Sequence, residues 1–133
     1  MIRALKSKKQ VTPAKILIVD DEPDIVNIIQ CHLECCKCEI ITATNGKEGL
    51  EKTAEQKPNL ILLDVNMPIM NGLEMLERLK ENADSKDIPV IMVTVICEPQ
   101  DIATASSYGI TDYINKPFEL TELTQKITKA LKL

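Results

Sequence analysis

The stretch Asn59-Leu60-Ile61-Leu62-Leu63-Asp64-Val65-Asn66-Met67-Pro68 decides how this chain folds. A run of branched apolar residues closes on one carboxylate, and the chain then leaves through a turn marked by Pro68 and the Asn71-Gly72 pair. In an open parallel sheet, ligands and chemistry collect at the carboxyl ends of the strands, so an aspartate closing such a run is a candidate functional group. Taken alone, Asp64 proves little, because most aspartates in that place cap a loop or the next helix.

The same pattern recurs on both sides. Upstream, Lys15-Ile16-Leu17-Ile18-Val19 closes on Asp20-Asp21 and reads as a first strand buried on both faces. Glu22, Pro23 and Asp24 then start a helix with apolar residues at Ile25, Ile28, Ile29 and Leu33, ending near Cys36. Glu39 to Ala43 is a short second strand, and Asn45-Gly46 turns the chain into a weaker helix through Leu50 and Ala54, which Pro58 stops. Downstream of the opening stretch, Gly72 to Glu81 is amphipathic through Leu73, Leu76 and Leu79. Ile88 to Thr94 is a fourth strand, with Pro89 tolerable at its start. Asp101 to Ser107 is the poorest helix, rich in Ser and Thr, and is expected to be the least stable element. Thr111 to Asn115 is the fifth strand, closed by Lys116-Pro117, and Leu120, Leu123, Ile127 and Leu131 define a last helix.

Strand and helix thus alternate, which predicts an α/β fold, a parallel sheet with helices on both faces. Right-handed crossovers bring every strand's carboxyl end to one rim, where Asp20, Asp21, Asp64, Thr94 and Lys116 meet. Three carboxylates held there repel by about 4 kcal/mol per close pair at an effective dielectric near 20. Lys116 offsets one charge, and the remainder suits a hard divalent cation with oxygen ligands, Mg²⁺ foremost. A carboxylate beside such a cation can attack phosphorus and form an acyl phosphate, with lysine and hydroxyl groups holding the phosphoryl oxygens.

The bulk composition bounds the alternatives. With 133 residues and 44% hydrophobic content, the chain suits one domain with its own core. Aromatic residues are only 2% of it, so stacked recognition of single-stranded nucleic acid has no platform. The first fifteen residues hold Arg3, Lys6, Lys8, Lys9 and Lys15 and no acid, leaving 11 basic against 20 acidic residues, so the body is acidic and disfavours direct contact with nucleic acid. Residues 1–12 read as a basic flexible tail and 13–133 as the domain. No apolar run long enough to span a bilayer and no secretion signal is present, so the expected location is cytoplasmic, without membrane insertion. Cys31, Cys35, Cys36 and Cys38 crowd beside His32, but there is no CxxC spacing and no second pair to close a tetrahedron, so they read as packing near a helix end.

Asp20-Asp21, Asp64-Val65-Asn66-Met67-Pro68, Thr94 and Lys116-Pro117-Phe118, in this order after strands one, three, four and five, together resemble the receiver domain of two-component response regulators. The resemblance covers residues 15 to about 131. It implies a flavodoxin-like (βα)5 three-layer sandwich with strand order 2-1-3-4-5. It further implies that Asp64 accepts a phosphoryl group from the phosphohistidine of a sensor histidine kinase or phosphotransfer protein. Asp20, Asp21, Asp64 and the Asn66 main-chain carbonyl would bind Mg²⁺, Lys116 would pair with the phosphoryl group, and Thr94 and Tyr113 would form the switch. The Lys116-Pro117 bond would be cis. Output would pass through helix 4, strand 5 and helix 5 to a protein partner, from a monomer or a phosphorylation-dependent dimer. No further module follows Leu133, so a stand-alone receiver is expected, against the alternative of a piece of a longer DNA-binding or enzymatic regulator. The enzyme alternative, a haloacid dehalogenase-like phosphohydrolase, wants its nucleophile after the first strand, whereas Asp64 follows the third. A flavodoxin-like electron carrier would suffer repulsion between Asp20-Asp21 and a cofactor phosphate.

The chain departs from the family at Val95, directly after the switch Thr94, where a small residue is usual. The branched side chain should crowd the approach to the phosphoryl group and slow transfer from small donors, hydrolysis, or both. Val95→Ala should therefore shorten the lifetime of the phosphorylated form or speed its formation from acetyl phosphate, followed by timed loss of label; unchanged rates would sink the idea.

Overall fold

Branched aliphatic runs become the central strands here because their side chains are buried on both faces of one sheet, and two partly exposed strands close its edges. In the computed structural model, which describes residues 13–34, 37–95 and 99–132, these are β1 (Lys15–Val19), β2 (Glu39–Ala43), β3 (Leu60–Leu63), β4 (Val90–Thr94) and β5 (Asp112–Asn115). All neighbours pair in parallel, in the order β2-β1-β3-β4-β5, the flavodoxin-like order that the sequence reading anticipates. The helices are α1 (Pro23–Leu33), α2 (Gly46–Gln56), α3 (Gly72–Glu81), α4 (Pro99–Ser107) and α5 (Leu120–Leu131). The basic segment 1–12 and the residues Cys35 and Cys36 lie outside the described residues, so the expectations for the tail and for half of the cysteine group have no structural counterpart.

The two-residue period of a strand divides the core in two. Ile16, Ile18, Leu60, Leu62, Ile91, Val93 and Ile114 face Ile29 and Leu33 of α1 and Leu123 and Ile127 of α5. Leu17, Val19, Ile61, Leu63, Val90 and Met92 face Met75, Leu76 and Leu79 of α3 and Ala105 of α4. Every residue of β3 and β4 is buried, which makes them the central strands against which both helical layers pack. No helix among the described residues is long and apolar enough to cross a membrane.

Several local expectations are corrected by this packing. Ile28 is 48% exposed, because the buried stripe of α1 runs through Ile25, Val26, Ile29 and Leu33 and leaves Ile28 on its flank. Ala54 of α2 is exposed; that helix buries Gly46, Gly49 and Thr53 instead, and a Cβ on Gly49 would lie 2.8 Å from Met75, so small residues let α2 close on α3. β4 begins at Val90 rather than Ile88, yet the Pro89 carbonyl still accepts from the Ile61 amide at 3.0 Å, which is all that a proline can offer a ladder. In α4 only Ala105 is buried, in keeping with the weak helix expected there. Cys31 is exposed and Cys38 packs at the edge of the core. His32 Nε2 and Thr124 Oγ1, 2.5 Å apart, share a hydrogen bond that links α1 to α5.

Gly72 has a steric role at the start of α3. Its amide donates to the Val65 carbonyl at 2.9 Å, and a Cβ at this position would lie 2.0 Å from the Asp64 carbonyl oxygen. Asn71 caps the helix in a reciprocal box, accepting from the Glu74 amide while Glu74 accepts from its own. Gly72→Ala forces a methyl group into backbone that cannot yield cheaply, and the unfolding free energy should fall by more than about 2 kcal/mol in urea denaturation; a loss within about 0.5 kcal/mol would show that the loop shifts freely.

Candidate functional site

Hydrogen-bond register, carried one residue beyond each strand, builds the site. Val19 pairs with Leu63, and the Asp64 amide donates to the Val19 carbonyl at 3.0 Å, so Asp20 and Asp64 leave neighbouring strands side by side. Thr94 pairs with Asn115, and the Lys116 amide donates to the Thr94 carbonyl at 2.9 Å, which brings the lysine in from the other edge. The Lys116-Pro117 bond is cis.

The carboxylates of Asp20, Asp21 and Asp64 present oxygens that all lie within 4.8 Å of one another. Asp20 and Asp64 are buried and Asp21 is exposed, so the cluster opens to solvent on one side. Three hard oxygen donors at such separations, facing outward from a strand edge, suit a small divalent cation. Asn66 donates its amide to Asp64 Oδ1 at 3.3 Å, which orients that carboxylate.

Lys116 Nζ reaches over the cluster. It donates to Asp20 Oδ2 at 2.8 Å and to Glu22 Oε1 at 2.7 Å, and it stands 3.4 Å from Asp64 Oδ2. Glu22 is the member that sequence reasoning missed. The sequence pattern places it at the start of α1, yet as N-cap it makes no side-chain capping bond, and its carboxylate is on the lysine. The signal available was a third consecutive acid after β1, facing a single lysine across the rim.

Burial holds the Asp20 carboxyl above its ordinary range, opposed by the hydrogen bonds from Lys116 and from the Glu22 amide. Burial works against the Lys116 ammonium, but the hydrogen bonds to Asp20 and Glu22 outweigh it and hold the group well above a free lysine. Thr94 Oγ1 is buried without a hydrogen-bond partner among the described residues. Unpaired buried hydroxyls are uncommon and costly. Thr94 also lines a cleft of about 20 Å³, together with Asn66, Val95, Ile102, Ala105 and Tyr113. Tyr113 sits at its mouth, 40% exposed, with Lys126 Nζ 5.7 Å from the ring centroid.

A strand order of 2-1-3-4-5 with acids after β1 and β3, a hydroxyl after β4 and a lysine after β5 has a counterpart among known proteins. The model of the response regulator receiver domain matches residues 16–128. The chain belongs to that family. This receiver domain is 36% identical to the alkaline phosphatase synthesis transcriptional regulatory protein PhoP of Bacillus subtilis (strain 168), over 89% of the chain and 48% of that protein. It is 42% identical to the uncharacterized transcriptional regulatory protein YkoG of the same organism, over 88% of the chain and 50% of that protein. The chain therefore spans about half the length of these curated relatives. A CheY-like receiver domain protein from Methanospirillum hungatei JF-1 superposes with a TM-score of 0.85 at 31% identity, covering 91% of this chain and 95% of that one.

Lys116→Met would strand the buried carboxylates of Asp20 and Asp64, and stability at pH 7 should fall by about 3 kcal/mol. Without the ammonium, the Asp20 carboxyl rises further above its unfolded value. The folded state then holds the proton more tightly than the unfolded chain, and stability grows as pH falls through the folded value. The deficit against wild type should therefore narrow between pH 7 and about pH 4 in urea denaturation, and a deficit that stays flat over that range would contradict the electrostatic account.

Proposed function

We propose that this receiver domain accepts a phosphoryl group on Asp64 from the phosphohistidine of a sensor kinase or phosphotransfer protein, and signals through the surface of α4, β5 and α5. The observation that carries the reading is the convergence on Asp64 of two further carboxylates within 4.8 Å and of Lys116 Nζ at 3.4 Å. An Asp64 carboxylate oxygen attacks phosphorus as the phosphorus–nitrogen bond to the imidazole breaks. The acyl phosphate stays on Asp64, and the imidazole leaves neutral by taking a proton. The carboxylates of Asp20, Asp21 and Asp64, with the Asn66 carbonyl, would hold Mg²⁺, which when bound neutralises charge on the phosphoryl oxygens. Small donors such as acetyl phosphate serve the same chemistry, and hydrolysis of the acyl phosphate by water resets the domain.

The switch follows from charge and from an unmade hydrogen bond. A phosphoryl group adds about −1.5 to −2 charges and three acceptor oxygens beside Lys116 and Thr94. The lysine has an exposed partner to give up, Glu22, while its buried partner Asp20 stays. The unpartnered Thr94 hydroxyl gains an acceptor by turning toward Asp64, and the room it vacates adjoins the cleft at whose mouth Tyr113 waits. At about 20 Å³ that cleft is too small for an aromatic ring, so Tyr113 can turn inward only after Thr94 or α4 moves. Such a two-state element is biased by contacts made in one state only.

The names of the relatives favour a second reading for the output. PhoP and YkoG are named as transcriptional regulators and are about twice as long as the span they share with this chain. In that reading the receiver's switched surface controls a DNA-binding module rather than a separate protein target.

Incubation with acetyl phosphate and Mg²⁺, read by intact mass, tests the acceptor. The wild type should gain one phosphoryl group that Asp64→Asn fails to gain, and chelating the metal should suppress it. Equal labelling of both proteins would place the acceptor elsewhere.

A further inference from the structure

The loop between β3 and α3 carries a strained residue that the switch does not use. Ile69 has φ +68°. A β-branched side chain resists that conformation, because the atoms on its Cβ crowd the backbone. The Met70 amide donates to the Pro68 carbonyl at 2.7 Å, which closes a three-residue γ-turn around Ile69, of the rarer and strained hand. Both flanks of the turn are pinned. The Met70 carbonyl accepts from the Gly46 amide at 2.9 Å, and the Gly72 amide donates to Val65 at 2.9 Å. The Met70 side chain fills the space beside Gly46, so the inner face of the loop is already occupied.

The outcome is that Ile69 points outward and is 78% exposed, more than any other large hydrophobic residue described. Burial therefore offers the fold no return on this strain. The remaining exposed large hydrophobics are Ile28, Val95 and Tyr113. Val95 follows Thr94 directly and shares the carboxyl edge of the sheet with the Ile69 loop, whereas Ile28 lies midway along α1 and Tyr113 within the edge strand β5.

Geometry then names the occupant. The Asp64 side chain is only 5% exposed. A histidine that delivers phosphorus to it must enter the rim, and the protein bearing that histidine must lie against the surrounding loops. A small donor such as acetyl phosphate has no need to touch them. We propose that Ile69 is an apolar anchor for the phosphohistidine-bearing protein, held outward by the strained turn, and that it fits an apolar recess beside the phosphorylated histidine. This inference rests on Asp64 being the acceptor.

The test uses Ile69→Gly, which removes the side chain and suits a positive φ, and Ile69→Asn, which removes the branch at Cβ and is polar. The donors are acetyl phosphate and the autophosphorylated cytoplasmic portions of the sensor kinases encoded in the same genome, the fastest of them being used. Ile69→Gly should raise Tm by about 2 °C, because relief of strain exceeds the entropy that glycine adds to the unfolded chain. Labelling by acetyl phosphate should stay within about twofold, while transfer from the kinase falls about tenfold in kcat/KM for both variants. Kinase transfer as fast as wild type would overturn the anchor, and equal slowing with both donors would overturn it too, by moving Ile69 into the chemistry. If wild-type Asp64 gains nothing from any donor, the acceptor reading itself fails and the anchor falls with it; a labelled wild type matched by its variants refutes the anchor alone.

Discussion

The hydrogen bond from the Asp64 amide to the Val19 carbonyl, at 3.0 Å, is the contact on which the rest of the site depends. It is the last rung of the β1–β3 ladder, and it sets two acidic strand ends in register at the spacing of adjacent strands. Were the pairing displaced by one residue, the inward and outward faces of β3 would exchange, and Leu60 and Leu62 would trade their helices with Ile61 and Leu63. Register at the rim is thus enforced from within the core. The carboxylates do not choose one another; the aliphatic residues behind them do.

That division of labour explains how a site so unfavourable to itself persists. Gathering Asp20, Asp21 and Asp64 on one edge and burying two of them works against folding, and the raised proton affinity of Asp20 reflects it. Two aliphatic clusters, one on each face of the sheet, supply the opposing free energy. Lys116 reduces the cost but does not remove it, because it shares one ammonium among Asp20, Glu22 and Asp64. Positive charge is therefore in short supply at this rim, with three carboxylates drawing on one ammonium. Around this rim the structure is irregular: a Thr94 hydroxyl unpaired among the described residues, a γ-turn at Ile69 and a weakly buried α4. Local departures from the best-packed solution at a functional edge are where a fold gives up stability for activity.

Much of this was legible in the chain because strand burial writes itself as unbroken aliphatic runs. Ile16 to Val19, Leu60 to Leu63 and Val90 to Val93 could hardly be anything else, and the polar residue ending each run marked the rim. What the pattern misread were positions whose fate depends on a neighbour. Ile28 has the right spacing for a core residue but falls beside the stripe that α5 and the sheet cover. Ala54 is exposed because α2 approaches through Gly49. Glu22 looked like a helix-start acid, and only the return of β5 across the sheet reveals that its carboxylate belongs to Lys116.

The sequence by itself determined the fold class, the order of the elements and the identity of the groups at the strand ends, because periodicity and strand-closing residues are local properties of a chain. The tertiary structure alone decided which of those groups touch. The three-way engagement of Lys116 and the pinning of Met70 beside Gly46 arise between segments far apart in sequence, while the turn at Ile69 and the closure of Gly72 on the Asp64 carbonyl are set inside one loop that those long-range contacts hold in place. Side-chain distances of a few ångströms across a rim are set by register, crossover and helix packing together, and no single stretch of sequence carries that sum.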